Sequence, residues 1–93
     1  MLSTFDVVAG IIAMTCNIPR ETIKPDSHLF NDLGIDSLDL MDLGFGVDDA
    51  FGIRIPIDQW LHAVHMKTRA ADRYFVVREL CRYIDNLMMD SAQ

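Results

Sequence analysis

Asp32-Leu33-Gly34-Ile35-Asp36-Ser37-Leu38-Asp39 decides how this chain is read. Asp36 is a good helix N-cap, because its carboxylate can take a backbone N–H of the first turn. Ser37 therefore falls in the first turn of a helix that runs to about Phe51, where Gly52 is placed to stop it. Leu40, Leu43, Val47 and Phe51 recur at helical spacing and mark an inward face. Leu38, Met41 and Phe45 share a second face with Asp42, so this helix carries two apolar faces and one of them must meet solvent or a partner. A serine at such a position suits phosphorylation chemistry. Free N–H groups and the positive end of the helix dipole favour an anion there, while the flanking carboxylates oppose it and make better sense as a docking charge or as contacts to a metal held by a modifying enzyme.

Three more helices are predicted around this one. Residues 4–16 carry Phe5, Val8, Ile12 and Cys16 at helical spacing, with Ser3 or Thr4 as the cap and Asn17 and Pro19 as the stop. Residues 17–35 form a long loop. Ile18, Ile23, Leu29, Phe30 and Leu33 are expected to pin it, with a short helical turn near Phe30. Pro56 and Asp58 open a third, shorter helix with Ile57, Trp60, Leu61 and Val64 as its stripe, and a break follows at 66–69. The last helix is expected from about Ala70 to Met88, with Val77, Leu80, Cys81, Ile84 and Met88 inward and Arg73, Arg78 and Arg82 outward. The predicted fold is all-α: a four-helix bundle with a long first loop and an extended region between the second and fourth helices.

The 93 residues suit one domain, 1–93, with 51% apolar residues to build a core. Net charge is −6, and residues 26–58 alone come to −7, with eight aspartates against Arg54. That pattern argues against nucleic acid or an anionic membrane as partner and favours basic protein surfaces. No apolar stretch approaches the roughly 20 residues needed to span a bilayer, so no membrane insertion is expected. The apolar run from Val7 to Met14 lacks the basic flank of a secretion signal. Cys16 and Cys81 have no metal-ligand spacing and read as two buried thiols in a reducing, cytoplasmic compartment. Met14 and Met88 read as core filler. His62 and His65 lie three apart with no third ligand in view, so no metal is expected, and His28 has no evident partner.

The segment DLGIDSLD resembles the signature of acyl carrier proteins, in which the serine of DSL accepts 4′-phosphopantetheine. The likeness continues through Met41-Asp42-Leu43 and Phe51-Gly52-Ile53-Arg54-Ile55-Pro56 and covers nearly the whole chain. The resemblance implies that Ser37, between Asp36 and Leu38, is modified by a phosphopantetheinyl transferase using coenzyme A. The arm's thiol would then hold acyl groups as thioesters for fatty acid synthesis. The protein would be a monomeric substrate of the acyl carrier synthase, the fatty acid synthase enzymes and acyltransferases, and not itself an enzyme. Carried over by position, Leu38, Asp39, Met41, Asp42 and Phe45 form the partner-facing surface, extended by Asp48 and Asp49.

Residues 57–73 are several residues longer than in ordinary fatty-acid carriers. With Trp60 and the later Tyr74-Phe75-Val76-Val77, they resemble the AcpXL group of alphaproteobacteria, associated with very-long-chain hydroxy fatty acids destined for lipid A. Gly44 and Gly46 replace larger residues of ordinary members. Two readings stand: a widened pocket for a long chain, or close helix packing. Three rival readings are a carrier for polyketide or peptide synthesis, an acidic calcium-binding or protein-interaction module, and a small enzyme. The aspartate spacing does not fit the D-x-[DN]-x-[DN]-G calcium loop, and no nucleophile–base pair can be placed together.

Overall fold

The computed structural model describes residues 2–66 and 72–91, with the side chains of residues 64, 65, 90 and 91 left aside. It contains the expected all-α bundle. Among the described residues there are four α-helices: α1 (Thr4–Cys16), α2 (Ser37–Phe51), α3 (Ile57–His65) and α4 (Val77–Ser91). Single 3₁₀ turns lie at Arg20–Thr22 and Arg73–Phe75. The predicted part of the break beyond Met66, and the predicted helix start at 70, fall on residues outside those described, as do the side chains of Val64 and His65.

Local chemistry sets the helix ends. The Ser3 hydroxyl accepts the N–H of Asp6 at 3.1 Å, and the Ser3 N–H donates back to the Asp6 carboxylate at 3.2 Å, a reciprocal cap at the start of α1. These bonds, the main-chain one above all, hold the Asp6 carboxyl below its usual range. Asn17 ends α1 and Gly52 ends α2, each in the left-handed region with φ of 56° and 67°. Gly52 donates to the Asp48 carbonyl at 2.8 Å.

The inward stripes meet in one core. Val8 and Ile12 of α1, Leu40, Leu43 and Val47 of α2, Trp60 of α3, and Leu80 and Ile84 of α4 are all buried. The long loop contributes Ile23, Leu29 and Ile35 to the same core, each buried apolar side chain contributing about 1.5–3 kcal/mol. Trp60 lies flat on Tyr74, with ring centroids 4.5 Å apart, and meets Tyr83 edge-on at 5.0 Å, which fixes α3 against α4.

Several expectations are corrected. Met14 and Met88 are not core filler: they are 87% and 40% exposed, because each falls on the outward side of its helix. Cys16 is only half-buried, whereas Cys81 is buried. The segment at Phe30 is a set of hydrogen-bonded turns with no helix assigned, and the short helical turn of the loop sits earlier, at Arg20–Thr22. The last helix starts at Val77 because Val76 is extended (φ −84°, ψ 128°) and the preceding residues are spent on pairing with the loop.

Gly44 and Gly46 serve close packing. A Cβ on Gly44 would lie 2.7 Å from Cγ1 of Ile57, so the bare backbone lets α3 seat against α2. A Cβ on Gly46 would meet Cγ2 of Ile11 at 3.0 Å, so α1 gains the same approach from the other side. Gly44→Ala is expected to destabilise the fold by about 1–3 kcal/mol through overpacking. Gly46→Ala should stay within about 1 kcal/mol of the parent, since helix propensity offsets the tighter contact. Urea unfolding measures both, and Ile57→Ala in the Gly44→Ala background should lower the cost of the glycine change by removing the clashing carbon.

Candidate functional site

The site is built where the long loop becomes α2. The loop is tied to the start of α4 by main-chain bonds: Leu29 N–H to the Phe75 carbonyl at 2.8 Å, Val77 N–H to Ser27 O at 2.9 Å and Arg78 N–H to Pro25 O at 2.8 Å. The last two satisfy N–H groups of the first turn of α4 that have no partner within the helix. The pairing places His28 and Val76 in a single antiparallel bridge. From this anchor the chain turns through residues 29–33, and Gly34, with φ of 67°, sends it back towards the core. Ile35 is buried and donates to the Leu29 carbonyl at 2.9 Å. Asp36 and Ser37 follow at once, both exposed.

Asp36 caps α2 through the N–H of Asp39 at 2.8 Å. The N–H groups of Ser37 and Leu38 bond to no other described residue. The Ser37 hydroxyl thus stands in solvent, at the positive end of a 15-residue helix, beside two free donors. That donor set fits a phosphodiester on the serine. The carboxylates of Asp32, Asp36, Asp39 and Asp42 surround it on the sequence, and Arg54, the lone cation of the acidic stretch, lies beyond the far end of the helix.

The residues expected to face a partner divide into two groups. Leu38 and Phe45 are 78% and 65% exposed, and Asp42 and Asp49 are exposed beside them. This is an apolar pair within a rim of carboxylates, the composition of an interaction surface. Asp39, Met41 and Asp48 are half-buried. Met41 packs against the core, and the Asp48 carboxylate accepts the Ile55 N–H at 2.8 Å and so holds the loop after α2. Met41, Gly44, Phe45, Asp48, Arg54 and Ile57 line a groove of about 400 Å³ between α2 and α3. Among the described residues no three His, Cys, Asp or Glu side chains are grouped to hold a metal ion.

Sequence reasoning missed His28, which is buried and fully engaged. Its Nδ1 accepts the N–H groups of Phe30 and Asn31, both at 3.1 Å, and its Nε2 meets the Asp72 carboxylate at 3.1 Å. Of its hydrogen bonds only the one to Asp72 is remote in sequence; a histidine followed by a turn is the available signal.

The chain's own thiols are held out of thiol chemistry. Burial lifts Cys81 to about 11, with Asp85 adding to it. Cys16 is likewise lifted to about 11 by burial, reinforced by Asp39, Asp36 and Asp42. A raised pKa keeps the unreactive thiol form at neutral pH. Both cysteines should therefore resist iodoacetamide at pH 8 in the folded protein and react once it is unfolded, as read by intact mass. The folded state holds its thiol protons more tightly than the unfolded chain, so this contribution to stability is complete below pH 9 and is lost as pH rises towards 11.

A model of a phosphopantetheine attachment site matches residues 6–63. The chain is 53% identical over 90 residues to an acyl carrier protein AcpXL of Rhizobium meliloti, covering 97% of this chain and 95% of the relative. It is 52% identical over 88 residues to the AcpXL of Brucella melitensis, with 95% of each chain covered. It is 49% identical over 92 residues to that of Rhizobium etli, covering 99% of this chain and all of the relative. No helix among the described residues is long and apolar enough to cross a membrane. An all-α bundle that ends a pinned loop in an exposed, capped serine, together with these likenesses over nearly its whole length, places this chain in the acyl carrier protein family, whose members are carriers bearing covalent 4′-phosphopantetheine.

Proposed function

We propose that Ser37 is the residue that takes the phosphopantetheine arm, and that the chain is a single-domain, cytoplasmic, non-enzymatic carrier for very-long-chain hydroxyacyl groups on the route to lipid A. The observation that carries the attachment reading is the Ser37 hydroxyl itself: exposed, capped into place by Asp36, and flanked by the free N–H groups of Ser37 and Leu38. Support for the cargo comes from the 57–73 segment and from the likeness to AcpXL proteins at about half identity.

In attachment, the Ser37 oxygen attacks the phosphorus that joins the pantetheine arm to the nucleotide of coenzyme A. The new Oγ–P bond forms as the bond to adenosine 3′,5′-bisphosphate breaks, and the hydroxyl proton passes to a base on the transferase. When bound, the arm supplies a thiol for thioester formation. The rest is the chain's own work. The two N–H groups offer hydrogen bonds to the phosphodiester. Asp36 holds the helix end rigid. Cys16 and Cys81, protonated at neutral pH, do not compete for acyl groups. Asp39, Asp42, Asp48 and Asp49 draw basic partner surfaces towards α2, and Leu38, Met41 and Phe45 supply apolar anchoring there.

Incubation with coenzyme A and a broad-specificity phosphopantetheinyl transferase should add one phosphopantetheine to the wild-type chain and none to Ser37→Ala, read by intact mass. Addition to Ser37→Ala, or no addition to a folded wild type, overturns the assignment. In the same assay Phe45→Ala and Leu38→Ala should raise the transferase KM without unfolding the protein; an unchanged KM removes the docking role.

A further inference from the structure

His28 lies eight residues before the α2 cap and outside the exposed surface, yet one side chain and its own backbone govern the turn that delivers Ser37. The His28 carbonyl accepts the N–H groups of Asp32 at 2.9 Å and Leu33 at 3.1 Å. Its N–H donates to the Asp32 carboxylate at 2.7 Å. Its Nδ1 accepts from Phe30 and Asn31, which closes the turn from the inside. The ring is 9% exposed as part of the residue and packs between Phe30 and Phe75, at 6.1 and 6.4 Å.

The two N–H groups aimed at Nδ1 settle the tautomer. Nδ1 must offer its lone pair, so the ring proton sits on Nε2 and points to Asp72. The ring thereby joins two things, the turn at Phe30 and Asn31 and the Asp72 carboxylate ahead of α4, while the main-chain N–H of His28 holds Asp32. Beyond the turn the chain has only Gly34, buried Ile35 and Asp36 before Ser37. Three residues therefore carry the position of the turn to Ser37.

We propose that His28, as the Nε2–H tautomer, is a positioning residue for modification of Ser37: it holds the turn that presents the serine to the transferase. The proposal rests on Ser37 being the attachment residue. It separates the two ends of the imidazole. Asn at this position can place its oxygen where Nδ1 stands and keep the turn, as asparagine does in Asx turns. Gln can reach towards Asp72, but its amide oxygen lies one bond further out than Nδ1 and does not match the acceptor position in the turn.

The test compares wild type, His28→Asn and His28→Gln by amide hydrogen exchange and by transferase kinetics with coenzyme A. His28→Gln should speed exchange at Phe30, Asn31 and the first turn of α2 by about tenfold or more. It should also raise the transferase KM for the protein while leaving kcat in place. His28→Asn should stay within about twofold of wild type on both readouts. In the wild type, imidazole ¹⁵N signals should show an unprotonated Nδ1 and a protonated Nε2. A folded His28→Gln that matches wild type, or His28→Asn as impaired as His28→Gln, overturns the proposal, as does a proton on Nδ1. If His28→Gln does not fold, the ¹⁵N signals and His28→Asn decide. A wild type that takes up no phosphopantetheine strikes at the Ser37 assignment instead, and the exchange and ¹⁵N data still judge the turn.

Discussion

The segment between Cys16 and Ser37 has no regular helix beyond one 3₁₀ turn, and it must nevertheless deliver a serine to a fixed point at the start of α2. What makes this feasible is its attachment to the start of α4 through Pro25, Ser27 and Leu29. Each of these bonds meets an obligation on one side at least: the Pro25 and Ser27 carbonyls satisfy the opening N–H groups of α4, and Phe75 O takes that of Leu29. With the backbone settled, Leu29 and Ile35 turn into the core and Asp36 and Ser37 are left outside. A free loop of this length would lose the serine's position to conformational entropy.

From that constraint the division of labour along α2 follows. Leu40, Leu43 and Val47 hold the helix to the bundle, and Gly44 and Gly46 let α3 and α1 come close on its two flanks. Leu38, Asp42, Phe45 and Asp49 remain on the outside. The proposed carrier role asks for that combination: a rigid stalk for the arm proposed on Ser37, a charged and apolar outer face proposed for its partners, and thiols that do not compete. The lifted thiols of Cys16 and Cys81 meet the last condition by burial.

What could be read from the residues was local. The cap at Asp36, the stop at Gly52, the inward stripe of α2 and the outward Leu38 and Phe45 are set by residues a few positions apart, and DLGIDSLD carries the family resemblance. What escaped was long-range. The bridge between His28 and Val76 joins residues 48 apart and leaves no periodic trace, so the apolar stripe does not mark Val77 as the start of α4. His28 looked idle because Asp72 is 44 residues away. Residue type alone points Met14 inward, whereas the geometry of α1 turns it to solvent. Gly44 could be recognised as unusual, but only the position of Ile57 shows that packing is the cause.

The most direct test is to isolate the protein from its own cells and locate its modification by fragment-ion mass spectrometry. The account predicts phosphopantetheine on Ser37, with a very-long-chain hydroxyacyl group on part of the population. A group on any other residue, or a chain that is never modified, would contradict it.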